Sequence, residues 1–280
     1  MTWGCGLFRL PSMDIIKGCT AVVTGGASGI GRAISLALSR ESVRVVVADL
    51  DETGMAGTVN AIKEAGGNAI AVRTDVSSLP EVQALTERAR DSFGPISILC
   101  NNAGVSIVGG LERATYRDWQ WVMGVNLWGV IHGIMAFVPC MIEEGKGGHI
   151  INTASMAGLV ATQWLGVYTA TKYAVVGLSE TLRKDLKPYN IGVSVLCPMS
   201  VDTRITESER NRPEQLKDPG IEHIQVSVDF LGRVITAEEV AVQVISAIKK
   251  NQLYIITHEE ALDQIRRRFQ RMEREIQGKK

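Results

Sequence analysis

Seven short apolar runs alternate with amphipathic stretches along this chain, and that alternation restricts the fold more than any other feature. The runs are Thr20 to Thr24, Val43 to Ala48, Asn68 to Arg73, Ile96 to Cys100, His149 to Thr153, Ile191 to Cys197 and Leu253 to Thr257. Most are rich in Val and Ile, and all are short enough to read as strands buried on both faces. Between them, Glu52 to Ala65, Leu79 to Ser92 and Ala237 to Lys249 carry apolar residues at helical spacing. Parallel strands need a crossover, and helices supply it. The pattern therefore predicts a doubly wound α/β fold, a parallel seven-stranded sheet of Rossmann type covered on both faces.

A chain of 280 residues that is 45% hydrophobic can bury one sizeable core. No repeat or Pro/Gly/Ser linker divides it, so one dinucleotide-binding and catalytic domain is expected over residues 18–257. A leader, residues 1–17, precedes it. That leader is too short and broken for a secretion signal or membrane span, and Met13 is an alternative start. A C-terminal helix, residues 258–280, follows, with Leu262, Ile265, Phe269, Met272 and Ile276 on one stripe. The longest irregular stretch, about 198–234, reads as a lid over a ligand or as a solvated insertion.

Formal net charge is zero and only 21% of residues are charged, so no global basic footprint points to nucleic acid or an anionic membrane. A small-molecule partner is expected instead. Cys5, Cys19, Cys100, Cys140 and Cys197 are scattered without a CxxC pair, which suggests neither a metal site nor disulfides and makes the cytoplasm the simplest compartment. The four histidines show no zinc-ligand spacing with them.

Four glycines, Gly25, Gly26, Gly29 and Gly31, stand between the first strand and a helix that opens at Arg32, with Ser28 and Ile30 among them. Such a turn lets a pyrophosphate approach main-chain N–H groups at the positive end of the helix dipole. About twenty residues on, Asp49 ends the second strand, where a carboxylate accepts hydrogen bonds from ribose hydroxyls and repels a 2′-phosphate. NAD is thus expected over NADP. Tyr168 and Lys172 lie four residues apart on one helix face, where an ammonium, together with an oxidised nicotinamide, would lower the phenol's pKa. Ser155, thirteen positions earlier and just past a strand, can hydrogen-bond the same substrate oxygen. Asn126 interrupts the apolar run Trp119 to Ile134, and a buried amide there needs partners.

The Gly-x-x-x-Gly-x-Gly spacing, the Ser155, Tyr168 and Lys172 set and the segment Asn101-Asn102-Ala103-Gly104 together resemble the short-chain dehydrogenase/reductase family. The resemblance runs from Gly18 to about Thr257. The runs from Val125 to Met141, from Gly192 to Arg212 and from Leu253 onward are also similar to aromatic-alcohol (C-alpha) dehydrogenases within it.

What the resemblance implies is more specific. Asp75 and Val76 match an adenine-contacting position, although Asp75 also suits a turn or helix cap. Asn102, Ala103 and Gly104 flank the cofactor and brace the central sheet, or form a plain turn. Pro198, Val201 and Thr203 match residues around the carboxamide, but Met199 stands where relatives usually have Gly, and its side chain is expected to intrude. Asn126 matches the member of a proton relay through Lys172, or is a satisfied core amide. Val105, Ser106, Met156, Gln163, Trp164, Leu165 and Met199 are expected around the reacting centre, a mostly apolar set, although Arg204, Arg210 and Arg212 in the lid leave an anionic substrate open. The helix from about Trp119 to Met141 is apolar on nearly every side, so a homo-oligomer, dimer or tetramer, is expected.

The expected activity is a NAD-dependent oxidoreductase interconverting a secondary alcohol and a ketone on a mostly apolar small molecule. The alternatives are a NADP-dependent carbonyl reductase and a non-catalytic NAD-binding protein.

Overall fold

Strand residues of alternating direction build two cores at once. Ala21, Val23, Val45 and Val47 point to one side of the sheet, and Val22, Val46 and Ala48 to the other. A period of two with apolar residues on both phases leaves no face for water. The computed structural model describes residues 17–218 and 232–278. Within them lie β1 (Thr20–Thr24), β2 (Arg44–Asp49), β3 (Ala69–Arg73), β4 (Ile96–Asn101), β5 (Gly148–Thr153), β6 (Ile191–Cys197) and β7 (Tyr254–Ile256). They form one seven-stranded sheet in the order β3-β2-β1-β4-β5-β6-β7, and every pairing is parallel.

One face is covered by α1 (Gly29–Arg40), α2 (Glu52–Glu64) and α7 (Ala237–Lys250), which contribute Ile34, Leu38, Ile62, Val240 and Val244 to the core. The other is covered by α3 (Leu79–Phe93), α5 (Gly129–Glu144) and α6 (Gly166–Asp185), through residues such as Leu85, Phe137, Met141 and Val175. Helix starts are marked by side-chain caps: Asp51 accepts from Gly54 N–H before α2, Ser78 from Glu81 N–H before α3, and Thr236 with Glu239 forms a capping box before α7.

The apolar run expected as one helix from Trp119 to Met141 is three pieces. α4 (Tyr116–Met123) passes into a π-helical turn at Gly124–Trp128 and then into α5. Residues 116–144 are long and apolar enough to cross a membrane, yet Phe137 and Met141 are buried against the sheet. The C-terminal helix, α8, spans Ala261–Ile276, and Leu262, Phe269, Met272 and Ile276 on its stripe are exposed. Leader residues 1–16 and lid residues 219–231 lie outside the described residues.

Candidate active site

The strand order reverses between β1 and β4, whose connections leave in opposite directions, and a crevice opens past the carboxyl ends of these strands. The glycine turn forms its floor. Gly29 has φ +50°, a conformation that L side chains rarely adopt, and a Cβ there would lie 3.1 Å from Thr203 Cγ2. A Cβ on Gly31 would lie 2.1 Å from the Gly25 carbonyl oxygen and 2.6 Å from Asn102 Nδ2, so α1 starts flat against the end of β1. Gly31 consequently does not face the cleft; it permits the close approach that aims α1 at it. Ser28, at the N-cap of α1, makes no side-chain capping bond. The first N–H groups of the helix are therefore left to an anion rather than to a side chain.

Gly25, Ser28, Gly29, Ile30 and Asp49 line one end of the cleft. The Asp49 carboxylate is held in place by backbone donors: Oδ2 accepts from Ala27 N–H at 3.0 Å, and Oδ1 from Leu50 N–H at 2.7 Å and Asp51 N–H at 3.1 Å. Asp75 and Val76 border the same end. Asp75 is also a turn residue, its Oδ1 accepting from Ser77 N–H at 2.9 Å and Ser77 Oγ–H at 2.7 Å.

Asn102, Ala103 and Gly104 line the middle. Thr24, which the sequence reading passed over, organises them: its Oγ1 accepts from Asn102 N–H at 2.9 Å and Ala103 N–H at 3.2 Å, while Asn102 Nδ2 donates to the Thr24 carbonyl at 3.0 Å. A threonine at a strand end carries no sequence signal that distinguishes this duty from ordinary β-propensity.

Ser155, Tyr168 and Lys172 line the cleft together, as do Pro198, Val201 and Thr203; the Pro198 carbonyl lies 3.5 Å from Ser155 Oγ, whereas Thr203 stands against Gly29. Ser155 follows β5 in extended backbone, its Oγ accepting from Ala157 N–H at 3.1 Å, and its hydroxyl stands near enough to the Tyr168 phenol to favour the phenolate. Lys172 is buried, donates from Nζ to the Thr153 carbonyl at 2.9 Å and stands 5.4 Å from the centre of the Tyr168 ring. In the chain alone this does not lower the phenol's pKa as expected. Burial pushes Tyr168 up to about 12, against the pull of the Ser155 hydroxyl. Lys172 is itself pushed down to about 8, because its ammonium is removed from water. Cys197, unforeseen as a neighbour, is buried beside the pair, and its thiol is pushed up to about 12 by burial, with Lys172 opposing.

Asn126 is wholly buried in the π-helical turn and does not line the cleft. Its amide clamps Val105, accepting from the Val105 N–H at 2.8 Å and donating to its carbonyl at 2.9 Å, with Thr171 Oγ1 a further acceptor at 3.3 Å. The position a Cβ would take on Gly104 lies 3.5 Å from Asn126 Oδ1 and 3.6 Å from Lys172 Nζ, so both polar groups border that glycine.

The substrate half differs from expectation. Val105 and Met199 line the cleft, but Ser106, Met156, Gln163, Trp164 and Leu165 do not. Met156 and Leu165 are buried in the core, and Trp164 stands on a turn with φ +67°. Their places are taken by Gln120, Trp121 and Val125 from α4 and the π-helical turn, and by Ile205, Ser208 and Leu216 from the lid. The tip of Met199 lies 2.7 Å from where a Cβ on Gly232 would be, so its methyl packs toward that glycine.

Comparison with known proteins agrees with this geometry. A family model described as short chain dehydrogenase matches residues 19–214. A short chain dehydrogenase/reductase from Burkholderia phymatum, solved in complex with NAD, is 39% identical and superposes with a TM-score of 0.88 over 92% of this chain and 95% of that one. A CLA biosynthesis dehydrogenase/reductase from Lactiplantibacillus plantarum is 33% identical over 89% of this chain and 91% of its own. A C alpha-dehydrogenase from Sphingobium sp. is 32% identical over 89% and 84%. The chain belongs to the short-chain dehydrogenase/reductase family, and it is an oxidoreductase of that family with a Rossmann-type fold.

Proposed function

We propose that this protein is a NAD-dependent dehydrogenase that interconverts a secondary alcohol and a ketone on a mostly apolar small molecule. The observation that carries the reading is the convergence of Ser155, Tyr168 and Lys172 on the cleft whose other end holds Asp49 and the glycine turn. The residues fit a dinucleotide: Gly29 holds a positive φ that L side chains rarely adopt, the helix N-terminus has no side-chain cap, and a carboxylate fixed by backbone donors lines the same end of the cleft. The relative solved with NAD supports the same cofactor, and the C alpha-dehydrogenase supports an alcohol carbon as the reacting centre.

A bound nicotinamide would supply the hydride acceptor or donor and, when oxidised, a positive charge that favours phenolate. The chain's own groups do the rest. Ser155 Oγ holds the substrate oxygen, and Tyr168 takes its proton during oxidation or returns it during reduction. Lys172, held by the Thr153 carbonyl, keeps a positive charge at the phenol. In this reading Asn126, across Gly104 from Lys172, takes part in passing the proton outward. The apolar lining of Val105, Trp121, Val125, Ile205 and Leu216 favours an uncharged hydrophobic substrate. Free thiols at Cys100, Cys140 and Cys197 support a cytoplasmic setting, and exposed Trp128 and Met135 on and beside α5 support a homodimer or homotetramer.

The test is nicotinamide absorbance across aliphatic, aromatic and steroid alcohols and their ketones, with both dinucleotides. Turnover with NAD on at least one hydrophobic alcohol is expected. Turnover with NADPH alone would establish the carbonyl-reductase alternative, and binding without turnover the non-catalytic one. Asp49→Ser removes the carboxylate that repels a 2′-phosphate, so the kcat/KM ratio of NADP to NAD should rise by roughly tenfold or more. An unchanged ratio would take Asp49 out of cofactor choice.

A further inference from the structure

The lid is held down by a buried charge pair, an unusual way to fasten a surface loop. Arg212 and Asp118 side chains are each 1% exposed and meet at 2.7 Å, Nη2 to Oδ1. Arg212 Nε donates to the Leu216 carbonyl at 2.8 Å, Nη1 reaches Glu209 Oε1 at 3.1 Å, and the guanidinium lies 5.1 Å from the centre of the Trp121 ring. Asp118 belongs to α4, where its Oδ2 accepts from Thr115 N–H at 2.9 Å. The same helix grips the next turn of the lid, since Thr115 Oγ1 donates to Asp218 Oδ2 and Arg117 pairs with Asp218 Oδ1 at 3.5 Å. Further along, the Ser208 hydroxyl accepts from Ser106 N–H at 3.0 Å.

These contacts tie the described lid residues 208–218 to the helix that walls the substrate half of the cleft. Trp121, one turn beyond Asp118, forms one wall, and Ile205, Ser208 and Leu216 form another, with Arg212 packed behind them and outside the lining. Taking two charges out of water is expensive unless further partners compensate; here Arg212 adds the Leu216 carbonyl and Glu209, and Asp118 adds the Thr115 N–H. Of the arginines that left an anionic substrate open, only Arg212 is buried against a carboxylate; Arg210, which donates to the carbonyls of Arg204 and Glu207 at 2.9 Å each, and Arg204, 3.8 Å from Asp51, both line the cleft.

We propose that Arg212 and Asp118 are positioning residues, a latch between lid and α4 that shapes the chamber for an uncharged hydrophobic alcohol or ketone. The catalytic half of this statement rests on the proposed function; the latch itself does not.

The experiment compares wild type with the double variant Asp118→Asn/Arg212→Met, which removes both charges together and so avoids stranding either one. Thermolysin cleavage within residues 198–218 is timed alongside kcat, KM and NADH affinity by fluorescence. Cleavage and KM for the best alcohol should each rise roughly tenfold or more, with kcat within about threefold and NADH affinity within about twofold. Unchanged cleavage overturns the latch, whether or not any alcohol is turned over. Faster cleavage with unchanged KM, or a parallel loss of kcat, KM and NADH affinity, overturns the positioning role. Should the double variant not fold, Arg212→Lys keeps the charge but loses the fork; at least about threefold increases in cleavage and KM are then expected, and no change in either would sink the proposal.

Discussion

Lys172 is a lysine kept almost out of contact with water, and its proton carries a measurable consequence. Burial lowers its pKa from the ordinary 10.5 to about 8. Below that lower value both folded and unfolded chains hold the proton, and the folded state bears the full penalty of a buried ammonium. Between about 8 and 10.5 the unfolded chain binds more protons, so the group's contribution to stability improves as pH rises through that window. Relative to Lys172→Met, the wild type should therefore gain up to about 3 kcal/mol across it, read from denaturant melts at its two ends. A constant difference would mean that the lysine titrates as if in water. At Tyr168 the prediction is kinetic: Tyr168→Phe should lower turnover by about a thousandfold while NADH affinity by fluorescence titration stays within about threefold. Retained activity removes the phenol from the mechanism. The pairing of these residues could be read from their four-residue spacing, but the direction of the phenol's shift could not, because burial is a property of the packed molecule.

The turn between β1 and α1 depends on two backbones touching. Gly31→Ala puts a Cβ 2.1 Å from the Gly25 carbonyl oxygen, a backbone atom with little freedom to retreat. The expected cost is about 1–3 kcal/mol of stability. Because the same shift tilts α1 off the cleft, NADH affinity should also fall by roughly tenfold. Unchanged affinity in a folded variant would separate the helix N-terminus from dinucleotide binding. The break between α4 and α5 was harder to foresee. Hydrophobic pattern over Trp119 to Met141 reads as one continuous helix, since one inserted residue hardly disturbs an apolar run. What marks the π-helical turn is Asn126, whose amide hydrogen-bonds Val105 from 21 positions away. Such turns cluster at functional sites, and this one sits behind Gly104.

At the scale of the molecule, apolar surface remains where the sheet does not need it. Trp128 and Met135 are about half exposed, on and next to α5, the helix whose other side carries Phe137 and Met141 into the core. In the homo-oligomer proposed above, a second copy would cover that face. Light scattering should return a mass two or four times the 30.4 kDa of the chain, and Met135→Glu with Trp128→Glu should shift it toward the monomer. A monomeric wild type would remove the oligomer.

By itself the sequence determined the sheet, its parallel strands and the glycine turn at their edge, because each follows from short-range rules: apolar periodicity, crossover length and backbone freedom. It also brought Asp49, Ser155, Tyr168 and Lys172 to one list of residues that the fold then gathers around one cleft. Tertiary structure decided which side chains wall the substrate half and what the lid arginines hold. Thr115 and Asp218 are 103 positions apart, and no local pattern says that a loop arginine will be buried against a helix near that pair. Contacts of that range are chosen by the folded shape, where desolvation and geometry are settled together.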